Sequence, residues 1–358
     1  MSDRPLIAVI GGGVIGLSCA AALAARGARV LLVGETHAGA ASPAAAGMLA
    51  PHIESNDTAA RKLGVASRDM FPAWVSELQR ATGIKIMLLR NGVVELAPDE
   101  RSAQRLRGLA SRQSTWLDPD ELHVLEPDLA PAAGALLHKD DGAVDNVALI
   151  EALRQRLLRE RMVRLVEGDV VRIVPHGLHP AVVTRTARFE VDRIVMAAGA
   201  WVNEIRGLPA PLRVEPLRGQ MLALTGCPIE HAVYAPDVYL VPRNGTTLVG
   251  ATMERVGFET GTTESALGGL RAAARVVVPA LVDSSVSNSW SGLRPVTPDF
   301  LPIIGVDPEN PALIYACGHS RNGILLAPLT GECVAALAFG EEPEADLTPF
   351  SPQRFAPG

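Results

Sequence analysis

LIAVIGGGVIGLSCAAALAARGARVLLV, residues 6–33, is the stretch that decides the fold class of this chain. Its first five residues, 6–10, are all apolar and read as a short strand buried on both faces, since a strand with one wet face would alternate. Gly11, Gly12 and Gly13 interrupt it. Residues 14–26 then read as a helix of small side chains, with Gly27 placed to end it. A second apolar strand follows at 29–33. Gly11-x-Gly13-x-x-Gly16 therefore stands between a strand and a helix, the context that gives this spacing its meaning. The first glycine permits the tight turn, the second lets backbone approach a pyrophosphate, and the third lets helix pack on strand. The phosphates would rest on the unpaired N–H groups at the positive end of the helix dipole. An acidic side chain after the second strand is expected on the ribose hydroxyls; Glu35, 19 residues after Gly16, is the candidate.

The same stretch could be mistaken for a membrane span, because Leu6 to Ala25 is twenty residues without a charge. Four glycines within it, and Asp3–Arg4 in place of a basic leader, favour the nucleotide-binding unit and a cytoplasmic chain. The full 358 residues suffice for a large core and suggest two domains; 48% hydrophobic and 20% charged residues are ordinary for a globular protein. A net charge of −6 with no basic run argues against nucleic acid as a partner. Cysteines at 19, 227, 317 and 333 form no Cys-x-x-Cys pair, so neither a disulfide scaffold nor a zinc site is expected. His176 and His179 lie in a Pro-flanked, Gly-containing segment and read as a turn; no metal is expected there.

Beyond the opening unit, Asp145 or Asn146 is placed to cap a helix through 161, with Ile150, Leu153 and Leu157 on one face. Strands are expected at 163–167, 170–174, 181–186 and 192–198, the last ending at Gly199. From 214 to 252 the pattern changes to short alternating strands with turns, notably Arg243-Asn244-Gly245. Residues 314–338 return to strand, Gly-rich loop and helix. The fold class is thus mixed α/β: a Rossmann-like cofactor domain from 1–80, 140–212 and 286–358, with an inserted antiparallel β-sheet substrate domain from 81–139 and 213–285.

Further segments carry a resemblance. They are Ser42-Pro-Ala-Ala-Ala-Gly-Met48, Gly142-Ala-Val-Asp145, Ala197-Ala-Gly-Ala-Trp201 and Pro216-Leu-Arg-Gly-Gln-Met221. Tyr239-Leu-Val-Pro-Arg243, Val249-Gly-Ala-Thr-Met253 and Trp290-Ser-Gly-Leu-Arg-Pro295 come next. Leu301-Pro-Ile-Ile-Gly305 and Gly318-His-Ser-Arg-Asn-Gly-Ile-Leu-Leu-Ala-Pro328 complete the set. In this order, over nearly the whole chain, the set resembles the glycine oxidases of the D-amino acid oxidase superfamily. The resemblance implies FAD, contacted by Val14, Ile15, Ala41, Ser42, Ala46, Gly47, Met48, Val170 and Gly199. It places Gly34 at the usual acidic position, one residue before Glu35. It also implies that His319, Ser320, Arg321, Asn322, Gly323, Ile324 and Leu325 run along the isoalloxazine ring. A helix opening near Gly323 would direct partial positive charge at the reduced ring. Relatives that bind flavin covalently do so through a cysteine near 296–299; this chain has Val-Thr-Pro-Asp there, so FAD is expected to be non-covalent.

For the substrate, the resemblance implies Arg294 as the carboxylate-binding guanidinium, a role that suits its planar fork. Tyr239 would reach the same carboxylate, Arg321 would stand near flavin and substrate, and Met253 and Met48 would line the pocket. The implied reaction is hydride transfer from the substrate carbon to flavin, with oxygen reduced to peroxide and the imine hydrolysed to glyoxylate plus amine or ammonia. No acid–base residue is needed at that carbon, so the absence of an obvious catalytic His or carboxylate fits. This chain departs from the family pattern at Ser320, usually aromatic, at Val296 and Phe300, usually glycine, and at Asp237. A small Ser320 suggests room for an N-substituted glycine, such as a bulky N-carboxymethyl amine in a biosynthetic pathway. Alternatives are a broader D-amino acid oxidase or dehydrogenase, and a non-catalytic dinucleotide-binding regulator. No nucleic-acid or membrane partner is expected, and a homo-oligomer is possible.

Overall fold

The computed structural model describes residues 4–34, 37–54, 57–176 and 179–355. Glu35 lies outside the described residues. Leu6–Ile10 and Arg29–Val33 are parallel neighbours, as expected, in a six-stranded sheet. Its order is Ile303–Val306, Leu313–Cys317, Arg193–Met196, Leu6–Ile10, Arg29–Val33, Val163–Val166; only the first of these runs antiparallel to its neighbour. Alternate residues explain the unbroken apolar runs. Ile7, Val9, Val30, Leu32 and Val195 pack into one cluster with the helices Val14–Ala25, Asn146–Arg159 and Gly323–Phe339. Ala8, Ile10, Leu31, Val33, Ile194 and Met196 face the other way, onto a three-stranded antiparallel sheet built from Val170–Val174, Ala181–Thr184 and Arg188–Glu190. Each buried Leu, Ile or Val contributes about 1.5–3 kcal/mol, so neither face can tolerate a polar residue.

Helix Gly323–Phe339 is apolar nearly all round because it is enclosed, lying between Val14–Ala25 and the long helix Thr58–Thr82. Helix Asn146–Arg159 is capped by Asp145, whose side chain accepts from the N–H groups of Val147 and Ala148. It stops two residues short of the expected 161, where Glu160 turns extended to feed the strand Val163–Val166.

The second large sheet has eight strands in the order Val286–Val296, Glu215–Thr225, Thr246–Gly250, Val238–Arg243, Ala232–Ala235, Val93–Ala97, Gly134–His138, Ser114–Leu117. Two expectations need correction here. Glu215–Thr225 is eleven residues long rather than short. Residues 286–296, expected in the cofactor part, are the edge strand of this sheet and pair with Glu215–Thr225 along nearly their whole length. The polar, Gly- and Pro-bearing sequence SNSWSGLRP hides this strand from a period-two reading, because an edge strand needs only one apolar neighbour.

One face of this sheet, including Leu222, Val233, Leu240 and Val249, packs on the helix Glu264–Val277. The opposite face looks toward the six-stranded sheet across a cavity. No helix among the described residues is long and apolar enough to cross a membrane, and the uncharged stretch 6–25 divides into strand, turn and helix.

Candidate active site

Two chain features open the cavity. Helix Val14–Ala25 begins without a side-chain cap, and so does helix Gly323–Phe339; both N-termini face the same space. The cavity between them measures about 1040 Å³ and runs from Gly11–Ile15 at one end to the large sheet at the other. Such a volume lies at the upper end for ligand sites.

Most of the residues expected to hold cofactor line it: Gly11, Gly13, Val14, Ile15, Gly34, Ala41, Ser42, Ala46, Gly47, Met48, Val170, Gly199, His319, Ser320, Arg321, Asn322, Gly323 and Ile324. Two do not. Gly16 is turned away, and a Cβ there would lie 1.9 Å from the Gly11 carbonyl oxygen, so it serves the close packing of helix on loop. Leu325 points into the helix layer, where its carbonyl accepts from Ser67 Oγ at 2.7 Å. The reason is helical rotation: once Gly323 starts the helix, a residue two on faces the core.

These surroundings fit a flavin dinucleotide. The Val14 N–H donates to Ser42 Oγ at 3.0 Å, fixing the loop 41–48 beside the first helix, and residues 41–47 of that loop offer only small side chains. Asn322 lines the cavity and its buried Oδ1 has no partner within the protein, an acceptor left for a ligand N–H. His319 is buried, with Nε2 3.2 Å from Thr330 Oγ1, and burial pulls its imidazole down to about 3. It is therefore neutral near pH 7 and supplies no titrating acid there.

At the other end, the large sheet presents one face of successive strands. Trp290, Met221, Gly250, Tyr239 and Tyr234 sit opposite one another across five strands. Arg294, four residues beyond Trp290 on the edge strand, therefore points to the same face. Its Nη1 donates to the Thr252 carbonyl at 3.0 Å. The guanidinium lies over the backbone of Gly219 on the neighbouring strand, where a Cβ would be only 2.1 Å from Nη1 and 2.4 Å from Cζ. Likewise the Tyr239 ring lies over Gly250, where a Cβ would be 2.4 Å from its hydroxyl oxygen. Burial pushes the Tyr239 hydroxyl up, partly offset by the Arg294 charge, so it remains a proton donor at neutral pH.

Arg321 reaches the same space from the loop after Leu313–Cys317. Its Nε stands 2.6 Å from Glu54 Oε2, and its Nη2 donates to the Glu54 carbonyl at 3.3 Å. Glu54 ends the short helix Pro51–Glu54 and is nearly buried. Burial raises its carboxyl above the usual range, while Arg321 and then Arg294 oppose the rise. With Glu54 ionised, Arg294, Arg321 and Glu54 leave one net positive charge facing the cavity.

Ser320 is buried at the cavity wall with φ +51, its N–H donating to the Pro295 carbonyl at 2.9 Å. Met48 lines the wall, partly buried beside Tyr239 and Trp290. Met253 is 58% exposed, so it belongs to the mouth rather than to the core. Phe300, also at the mouth, holds φ +59, a conformation that favours the glycine of the family pattern. Asp237 is exposed in the turn between Ala232–Ala235 and Val238–Arg243. Glu54, Tyr234, Gly219 and Gly250 were missed from the sequence. Glu54 stands in no motif, and the two glycines, though inside quoted segments, show their purpose only when a neighbouring strand brings a side chain over them.

Comparison with known proteins identifies the family. A family model for FAD dependent oxidoreductases matches residues 7–337. The chain is 37% identical over 364 residues to the bifunctional protein ThiO/ThiG of Synechocystis sp., covering 98% of this chain and 54% of that protein. It thus spans about half the length of the bifunctional relatives. To the glycine oxidase of Geobacillus kaustophilus it is 34% identical over 368 residues, covering 98% of this chain and 97% of that one. The crystal structure of glycine oxidase from Geobacillus kaustophilus superposes with a TM-score of 0.92, covering 99% of this chain and 100% of that chain. That of glycine oxidase from Bacillus cereus gives 0.87 at 28% identity, covering 97% and 98%. With the family matched from the first strand to the last long helix, the chain belongs to the FAD dependent oxidoreductases.

Proposed function

We propose that this chain is an oxidase of glycine or of an N-substituted glycine, which it converts to glyoxylate and ammonia or the corresponding amine. One observation carries the reading: the Arg294 guanidinium, laid flat over Gly219 beside the Tyr239 hydroxyl, faces the cavity with one net positive charge to balance. A planar guanidinium with a neighbouring hydroxyl suits a carboxylate. Glycine oxidases among the similar proteins support the same substrate class.

When bound, FAD accepts two electrons from the substrate C–N unit and passes them to oxygen, yielding peroxide. The protein's part is placement. Arg294 and Tyr239 fix the carboxylate, which in turn fixes the adjacent carbon. Glu54 holds Arg321 at the wall, which leaves Arg294 to meet the carboxylate. The buried His319 stays neutral at the wall and adds no charge there. Burial also pushes the Cys317 thiol, which lines the cavity, up to about 12, keeping it protonated; this supports a dissociable FAD.

Buried Ser320 and the open mouth at Met253 and Phe300 favour substrates with a group on nitrogen. Cytoplasmic residence and a homo-oligomer are part of this reading, testable by fractionation and light scattering. The deciding experiment adds glycine, sarcosine and longer N-carboxymethyl amines anaerobically to the holoenzyme, follows flavin bleaching, and then measures peroxide on admitting air. Bleaching by a member of this series is expected. No bleaching by any of them would overturn the assignment, and glycine outpacing every N-alkylglycine would overturn the N-substituent.

A further inference from the structure

We propose that His52, His138 and Asp141 form a binding site for one divalent transition-metal ion, zinc being the best match. A ring nitrogen from each histidine and a carboxylate oxygen of Asp141 lie within 4.8 Å of one another. The three residues come from separate places: the helix Pro51–Glu54, the end of strand Gly134–His138, and the turn that precedes strand Gly142–Val144. The two imidazoles are nearly parallel, with centroids 5.6 Å apart.

The state of His138 points to a ligand. Its Nε2 is 3.1 Å from Glu95 Oε2, so in the neutral ring Nε2 carries the proton and Nδ1 the lone pair. That Nδ1 is buried, in a side chain 5% exposed, and has no hydrogen-bond partner. A buried acceptor left in that state is unfavourable. A carboxylate behind a histidine is the usual device for orienting a metal ligand. Asp141 has a comparable support: Arg68 Nη1 donates to its Oδ1 at 2.6 Å. Both its oxygens face His52 Nδ1, Oδ1 at 3.2 Å and Oδ2 at 3.3 Å.

Charge favours a cation. Asp141 and Glu95 contribute two negative charges and buried Arg68 one positive charge, a balance of −1. Arg105, which approaches Glu95 at 3.5 Å, is largely exposed and screened by solvent. Two imidazoles and one carboxylate suit zinc and its first-row neighbours, with water completing a tetrahedron; magnesium and calcium prefer all-oxygen sites. The expected effect is mechanical. The ion would tie the short helix carrying Glu54 to the connection between strands Gly134–His138 and Gly142–Val144, two residues from a group that faces the cavity.

The test is equilibrium dialysis of the holoenzyme, first freed of metal with a chelator, against zinc chloride, with bound zinc counted per chain. Wild type is expected to saturate at one zinc, H138Q and H52Q to lose that site, and E95Q to bind 10–100-fold more weakly. Bound-flavin absorbance reports folding of each variant. If H138Q fails to fold, H52Q and E95Q carry the comparison, together with a zinc-dependent rise in wild-type Tm that they lack. No saturable zinc in wild type, or equal zinc in all variants, would overturn the proposal and leave the His138 nitrogen to a buried water.

Discussion

Replacing Gly219 by alanine separates the function of this site from its stability. Gly219 sits inside the strand Glu215–Thr225 with φ outside the left-handed region, so its backbone can accept a side chain. Removing a glycine from a strand interior should stabilise by about 0.5–1 kcal/mol. The obstacle is the guanidinium above it. The new Cβ would lie 2.1 Å from Arg294 Nη1, and ordinary contact begins near 3.4 Å, so the guanidinium must move by about 1.3 Å. Moving the end of a long side chain costs the fold little. For the reaction it displaces the group proposed to fix the substrate carboxylate, and a misplacement of about 1 Å costs roughly 100-fold. That equals about 2.7 kcal/mol of transition-state stabilisation. The assay is peroxide formation by the holoenzyme across substrate concentration, with Tm and FAD content measured on the same preparations. The expected result is a kcat/KM lower by roughly 100-fold, with Tm and FAD content retained. Full activity in G219A would refute the reasoning, and so would a loss traceable to missing FAD or a lowered Tm.

Three further outcomes are expected. In E54Q the charge facing the cavity is permanently higher by one, so KM for a carboxylate substrate should fall; in wild type the same fall should appear as pH drops through the raised Glu54 pKa, and the KM of E54Q should lack that step. His319 is held near pH 3 in the folded chain, below its unfolded value of about 6.5, so the unfolded state binds more protons between these limits and stability is lost as pH falls through that window. H319Q should remove a slope of up to about 1.4 kcal/mol per pH unit there, measured by urea unfolding at pH 5 and pH 7. F300G relieves a left-handed phenylalanine, worth about 1–2 kcal/mol, against glycine's greater entropy in the unfolded chain, so Tm should change little. Loss of its ring at the mouth should raise KM for an N-benzylglycine by about 2–10-fold and leave glycine's KM unchanged; equal effects on both would remove Phe300 from substrate recognition.

The legibility of this protein varies along the chain for physical reasons. Residues 6–33 were readable because their constraints show in the local pattern: two strands covered on both faces cannot alternate, and Gly16 makes room for the Gly11 carbonyl within the same turn. Asp145 was readable as a cap because a cap bonds to its own helix. Residues 286–296 were not readable as a strand of the large sheet because membership of a sheet is settled by a partner some 70 residues away. A few polar residues on an exposed edge do not announce that partner.

The sequence by itself determined the dinucleotide unit and the mixed α/β class and, through the resemblance, singled out Arg294, Tyr239 and Arg321 as candidate site residues. Tertiary structure alone decided what stands around them. Glu54 meets Arg321 across 267 positions, Gly219 yields its space to a guanidinium on the next strand, and Leu325 turns from the cavity into the core. Local spacing records what a residue does to its own turn of chain. A pocket's charge and clearances arise from residues far apart in sequence, and only packing brings them within range of one another.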